Sequence, residues 1–152
     1  MGRVSAEIEV DAALPEVEEL WYDVRRWPSF VEGFARVDKR EGGWPAAAGR
    51  LVWDSTPRGR GRVVERVATH EPGQGQIVEL EDPRMRGTQQ VRFTRLQDGT
   101  AVGLQLDYQL KDRNPLTPLV DLLFIRRSLR DSLRRTLTRF ARELNADADL
   151  LE

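Results

Sequence analysis

Arg126, Tyr108 and His70 are the side chains whose chemistry stands apart from their sequence surroundings. Leu119, Leu122, Leu129, Leu133, Leu137, Phe140 and Leu144 recur at helical spacing, and stepping by ~100° per residue places Arg126 inside their stripe. An arginine facing an interior keeps its charge and presents forked donors, so it could hold a ligand carboxylate, enolate or phenolate. Alternatively it reaches past the helix end or pairs with an internal acid such as Asp54 or Asp107. Tyr108 shares a strand face with Leu104 and Leu106, where its hydroxyl could bind a ligand or move a proton, or simply complete the core. His70, the single histidine, would be the natural general base near neutral pH, but its neighbours Glu71-Pro72-Gly73 are those of an exposed turn. Trp53 and Phe93 could line a flat pocket or pack as ordinary core.

Other chemistry is set aside by what is missing. Without cysteine the chain has no disulfide framework, no thiolate nucleophile and no cysteine-ligated metal, and one histidine is too few for a classical zinc site. No cofactor or metal is expected. A Ser-His-Asp triad is not favoured either, since no serine sits in a nucleophile-elbow glycine pattern. The loop Glu41-Gly42-Gly43-Trp44-Pro45 to Gly49 lacks both phosphate-binding glycine motifs and precedes no helix; Trp44 could cap a cavity mouth or stand exposed.

Charge points away from polyanions. The 24 basic and 25 acidic residues leave a formal net charge of -1, so no global field recruits nucleic acid or an anionic membrane. Arginines at 58, 60 and 62 and at 84 and 86 lie at turns without interleaved aromatics, and those at 127, 134, 135, 139 and 142 form a solvated helix face. Only Lys39 and Lys111 are lysines, which reads as the coding bias of a GC-rich genome. The N-terminus is charged and alternating, unlike a secretory signal, and the longest apolar run, Leu119 to Ile125 around Asp121, is far short of the ~20 residues of a membrane span. A cytoplasmic protein with no nucleic-acid partner and no membrane span is expected.

Positioning these residues requires a sheet and one long helix. Val4, Ala6, Ile8 and Val10 alternate with polar residues as a first strand. A helix is predicted from Pro15 to about Trp27, followed by a second helical turn over 29–34 closed by Gly33. Six further strands are predicted at 35–41, 50–56, 62–70, 76–81, 88–96 and 100–110, broken by Gly and Pro turns. Thr117 as N-cap and Pro118 at the first position open a helix that runs to Asn145, with 146–152 expected to fray. Thirty residues span ~45 Å, enough to cross the whole domain, so the sheet should curve around this helix and leave a groove.

The segments VSAEIEVDAALPEVEELWYDVRRWPSF, DGTAVGLQLDYQL and PLTPLVDLLFIRRSLRDSLRRTLTRF resemble the START/Bet v 1-like (SRPBCC) superfamily, in its bacterial polyketide cyclase/dehydrase-like branch. The resemblance implies an α+β helix-grip fold: a seven-stranded curved antiparallel sheet wrapped around a long C-terminal helix, with two short helices after strand 1. It also implies one ligand-binding domain over 1–145 that holds a small hydrophobic molecule between sheet and helix. The expected lining is Trp53, Phe93, Leu104, Leu106, Tyr108, Leu122, Arg126, Leu129 and Leu133. An enzyme of the cyclase, aromatase or dehydratase type would use the same cavity, with Arg126 stabilising an enolate and Tyr108 moving a proton. The remaining alternative is an interaction module, in which Val120 and Phe124, off the main stripe, form a homodimer contact.

Overall fold

Alternating polarity at the start of the chain produces β1 (Gly2–Val10), and Pro15 stands in the first turn of α1 (Leu14–Trp21). That helix ends at Trp21, six residues earlier than the periodicity predicts. The side chain of Asp23 accepts the backbone N–H of Arg25 at 3.2 Å and starts a 3₁₀ turn (Val24–Arg26), while Trp27 Nε1 donates to the Trp21 carbonyl at 2.8 Å. Local side-chain bonds thus compete successfully with helix continuation. Pro28 does not end a helix either. It sits in the first turn of α2 (Trp27–Phe30), where no intrahelical donor is lost. Gly33, at φ 78°, then turns the chain into the sheet.

The computed structural model describes residues 2–112 and 118–151. The remaining strands are β2 (Phe34–Glu41), β3 (Arg50–Ser55), β4 (Arg62–Glu71), β5 (Gly75–Glu81), β6 (Met85–Leu96) and β7 (Gly99–Leu110). They form one seven-stranded antiparallel sheet in the order β1-β7-β6-β5-β4-β3-β2, so the first strand closes beside the last. Two-residue alternation places Val63, Glu65 and Val67 of β4, Gln76, Val78 and Leu80 of β5, and Leu104, Leu106 and Tyr108 of β7 on the inner face.

Against this face lies α3 (Leu119–Leu151). Asp121 and Leu122 donate to the Pro118 carbonyl, so Pro118 precedes the helix instead of forming its first residue, and the predicted Thr117 cap lies outside the described residues. The helix also continues past Asn145 to Leu151. Arg26, from the 3₁₀ turn, pairs with Glu143 at 2.8 Å and Asp147 at 2.9 Å and ties its last turns down.

Only part of the apolar stripe is covered. Leu133, Thr136, Leu137, Phe140 and Leu144 are buried, with the Phe140 ring 5.3 Å from Trp21 and 5.1 Å from Phe30. Towards the N-terminus Leu122, Ile125 and Leu129 are half-buried, and Leu119, Val120, Leu123 and Phe124 project into solvent. Phe124 is 73% exposed. Phe124→Asp is therefore expected to change the unfolding free energy by no more than about 0.5 kcal/mol in urea titration. Light scattering on the same variant tests the dimer contact: an unchanged monomer mass in both proteins removes it.

Candidate functional site

Where α3 crosses the inner face of the sheet it leaves an interior cavity of about 70 Å³. Its walls come from Trp53, Val63, Glu65, Gln76, Val78, Gln89, Val91 and Leu104 of the sheet, Trp21 and Trp27 of the helical segment, and Ser132, Leu133 and Thr136 of α3; Arg60 and Glu32 stand at it from adjoining turns. The α3 wall is fastened by hydrogen bonds. The backbone N–H of Glu32 donates to Thr136 Oγ1 at 3.1 Å, and Arg135 pairs with the Glu32 carboxylate. Burial opposes the charge on Glu32, but hydrogen bonds from Arg135 and Ser132, with the charges of Arg135 and Arg139, hold its carboxyl below the usual range.

Glu65 is the chemical centre of the cavity. It lies between Val63 and Val67 on an otherwise apolar strand face, and Trp53 Nε1 donates to its Oε2 at 2.6 Å. Burial pushes its carboxyl up to about 7, against the opposing influence of the Trp53 hydrogen bond and the Arg60 charge. Near neutral pH it can therefore exist as a proton donor or an acceptor. Arg60 is held back from neutralising it directly, because its Nε pairs with the buried Asp82 at 2.8 Å. Asp82 in turn accepts the backbone N–H groups of Arg84 at 2.8 Å and Met85 at 3.0 Å, which shapes the β5–β6 turn. Gln76 is fixed by donating to the Pro45 carbonyl at 2.9 Å.

The structure sorts the sequence-predicted residues sharply. Trp53, Leu104 and Leu133 line the cavity. Leu106 is buried in the inner layer, and Phe93 is buried against the Tyr22 ring, 6.1 Å away, but neither reaches the cavity wall. Leu122 and Leu129 lie N-terminal to it on α3 and are half-buried. Tyr108 is buried at the far end of β7, paired with Gly2, where any side chain on Gly2 would collide with the Tyr108 ring. Arg126, expected to face inward, is exposed, whereas its neighbours Ile125 and Leu129 are half-buried against the core.

Two residues read as loop or surface features are interior. Trp44 is 2% exposed: its loop folds back, with Ala48 N–H donating to Val67 at 3.0 Å and Val67 N–H to Gly49 at 2.9 Å, and the indole enters the core beside Trp27 instead of capping a mouth or standing exposed. His70 is half-buried and packs on Tyr22. A bulge between Val67 and Thr69 brings His70 opposite Gln76, onto the face that simple alternation from Val67 denies it. Glu65 itself was recoverable from sequence, since Val63-Val64-Glu65-Arg66-Val67 places it by period two on the apolar face.

A curved seven-stranded sheet gripping one long helix around a small, partly polar cavity defines a helix-grip protein. Residues 1–145 match the family described as polyketide cyclase / dehydrase and lipid transport, and the chain belongs to that family. Comparison with curated proteins gave no match. Among solved structures, TTHA0849 from Thermus thermophilus is 20% identical over 96% of this chain and 99% of its own, with a TM-score of 0.77. The di-domain ARO/CYC StfQ from the steffimycin biosynthetic pathway is 19% identical over 97% of this chain, with a TM-score of 0.74, and this chain spans 51% of its length. Norcoclaurine synthase from Thalictrum flavum, in complex with dopamine and hydroxybenzaldehyde, is 11% identical over 95% of this chain and 87% of its own, with a TM-score of 0.67. At these identities the likeness is one of fold. Among the described residues no helix is long and apolar enough to cross a membrane.

Proposed function

We propose that the chain binds a small, largely apolar molecule bearing a hydroxyl group, in the cavity between the sheet and α3. One observation carries this reading: a buried carboxyl group, Glu65, stands at the cavity wall beside a tryptophan donor, with no salt-bridge partner among the described residues. A carboxyl held in such a place opposes folding at neutral pH, which argues for a functional reason. Hydroxylated aromatic compounds suit it, since Trp53 and Trp27 offer flat walls while Glu65, Gln76 and Gln89 offer polar contacts. The family description and the phenolic compounds bound by the norcoclaurine synthase neighbour support the same chemical class.

The cavity of about 70 Å³ is smaller than the ~300–1,000 Å³ usual for ligand sites, so binding of a larger molecule requires its walls to part. The N-terminal half of α3 is the wall with the least packing, because Leu122, Ile125 and Leu129 are only half-buried. Phenol, with benzene as control, is a suitable first probe. NMR titration of the indole N–H signals should show saturable movement of the Trp53 signal by phenol, about tenfold weakened in Glu65→Ala and abolished by the cavity-filling Leu133→Trp. Arg126→Ala should bind phenol as the wild type does. Equal binding of phenol and benzene, or indifference to Glu65→Ala, would overturn the assignment.

A second reading has its own support in the same carboxyl. A group poised at about 7 matches the requirement for general acid–base catalysis at neutral pH, so a cyclisation or dehydration of a polyketide-like substrate would use Glu65 to move the proton. Under this reading neither Arg126 nor Tyr108 is catalytic, given their positions away from the cavity. Turnover of a poly-β-ketone surrogate that is lost in Glu65→Gln and retained in Tyr108→Phe distinguishes enzyme from carrier.

A further inference from the structure

Of the six buried side-chain polar atoms left without a hydrogen-bond partner among the described residues, three gather around one aromatic ring. They are the Tyr22 hydroxyl, Trp44 Nε1 and His70 Nε2. The Tyr22 ring meets His70, Trp44 and Phe93 edge-on, with centroid separations of 5.1, 6.1 and 6.1 Å. Three separate segments deliver these groups: the residue that follows α1, the β2–β3 loop and the bulge in β4. Each gives up its hydrogen bonds to water and receives none from protein in return.

The donor inventory indicates what would satisfy them. Indole can only donate, and imidazole Nε2 can donate or accept according to tautomer. Burial, followed by the charge of Glu18, pushes ionisation of the Tyr22 hydroxyl far above its usual range, so that it keeps its proton and can donate as well. The complementary group is an oxygen acceptor. None of the three groups lines the cavity itself, but two cavity-lining residues adjoin them. Trp27 lines the cavity and its ring lies 5.5 Å from that of Trp44. Gln76 lines it too, stands opposite His70 across β4 and β5, and holds the Trp44 loop through the Pro45 carbonyl.

We infer that Tyr22, Trp44 and His70 form a second polar subsite, which receives a carbonyl oxygen of the ligand whose hydroxyl lies at Glu65. The inference rests on the cavity-binding reading and narrows it to aromatic ketones that carry a hydroxyl on the opposite side of the ring. Phenol fills only the Glu65 end; para-hydroxyacetophenone offers oxygens to both. In NMR titration para-hydroxyacetophenone should bind about tenfold more tightly than phenol, the worth of one good hydrogen bond, and should move the indole signals of Trp44 and Trp53 together. Tyr22→Phe keeps the ring that packs against its three neighbours; it should remove most of that tenfold gain and leave phenol binding unchanged. If phenol binds but the acetyl group adds nothing, or if the gain survives Tyr22→Phe with the Trp44 signal unmoved, the subsite is overturned while the cavity reading stands. If neither compound binds, both are overturned. The Trp44 signal in the wild-type protein gives a readout that depends on no variant folding.

Discussion

Glu65→Gln is expected to flatten the pH dependence of folding stability between pH 4.5 and 8. In the unfolded chain this carboxyl ionises near 4.5, whereas in the folded protein it does so only at about 7. Between those values the folded state retains a proton that the unfolded state has released. Stability from this group is thus complete below the unfolded value and is lost as pH rises through the folded one. The gap corresponds to ~3 kcal/mol, since each tenfold change in proton affinity is worth ~1.4 kcal/mol. Glutamine fills nearly the same volume and cannot ionise. Urea unfolding of both proteins across this range should therefore show the variant gaining on the wild type by ~3 kcal/mol as pH rises, with the difference levelling off above about 7. Parallel curves would mean that Glu65 is not desolvated in solution. The same experiment bears on function, since phenol binding should change with the same titration if Glu65 contacts the hydroxyl.

Phe140→Ala should produce the largest loss of stability, ~3–5 kcal/mol, because it empties a fully buried site at the meeting of α3, α1 and α2. Its ring contacts Trp21 and Phe30 edge-on, and such pairs add to the burial term. Thermal unfolding followed by near-ultraviolet circular dichroism should show a midpoint lowered by about 10 °C for a chain of this size. A drop of only one or two degrees would show that α3 is not anchored there. The contrast with the expected indifference of Phe124→Asp is informative, because both phenylalanines belong to one helix and differ only in what covers them.

The strands were legible because their signals are local. Polar and apolar residues alternate in β1, β4 and β7, and Gly or Pro marks most of the turns between strands, so these segments announce their own conformation. The end of α1 was less so, since apolar spacing continues through Val24 and Trp27; what ended the helix were the Asp23 side-chain bond and the Trp27 indole bond. Glu65 was present in the period-two pattern, yet a carboxyl inside a sheet attracts less notice than an arginine inside a leucine stripe.

Arg126 shows the limit most clearly. Its angular position on the helix follows from its number, but whether that angle faces a core depends on what lies opposite: Ile125 and Leu129 pack half-buried against the core while Arg126 is exposed. His70 shows the same limit in a strand, where one bulge residue exchanges inside for outside. Composition, periodicity and turn chemistry by themselves determined seven strands and a long amphipathic C-terminal helix around which the sheet should curve, and the family resemblance implied the helix-grip fold. Only the tertiary structure decided where the stripe is covered, which polar groups share the interior and how small the cavity is. Those properties arise from the register and juxtaposition of segments far apart in the chain, which local spacing does not encode.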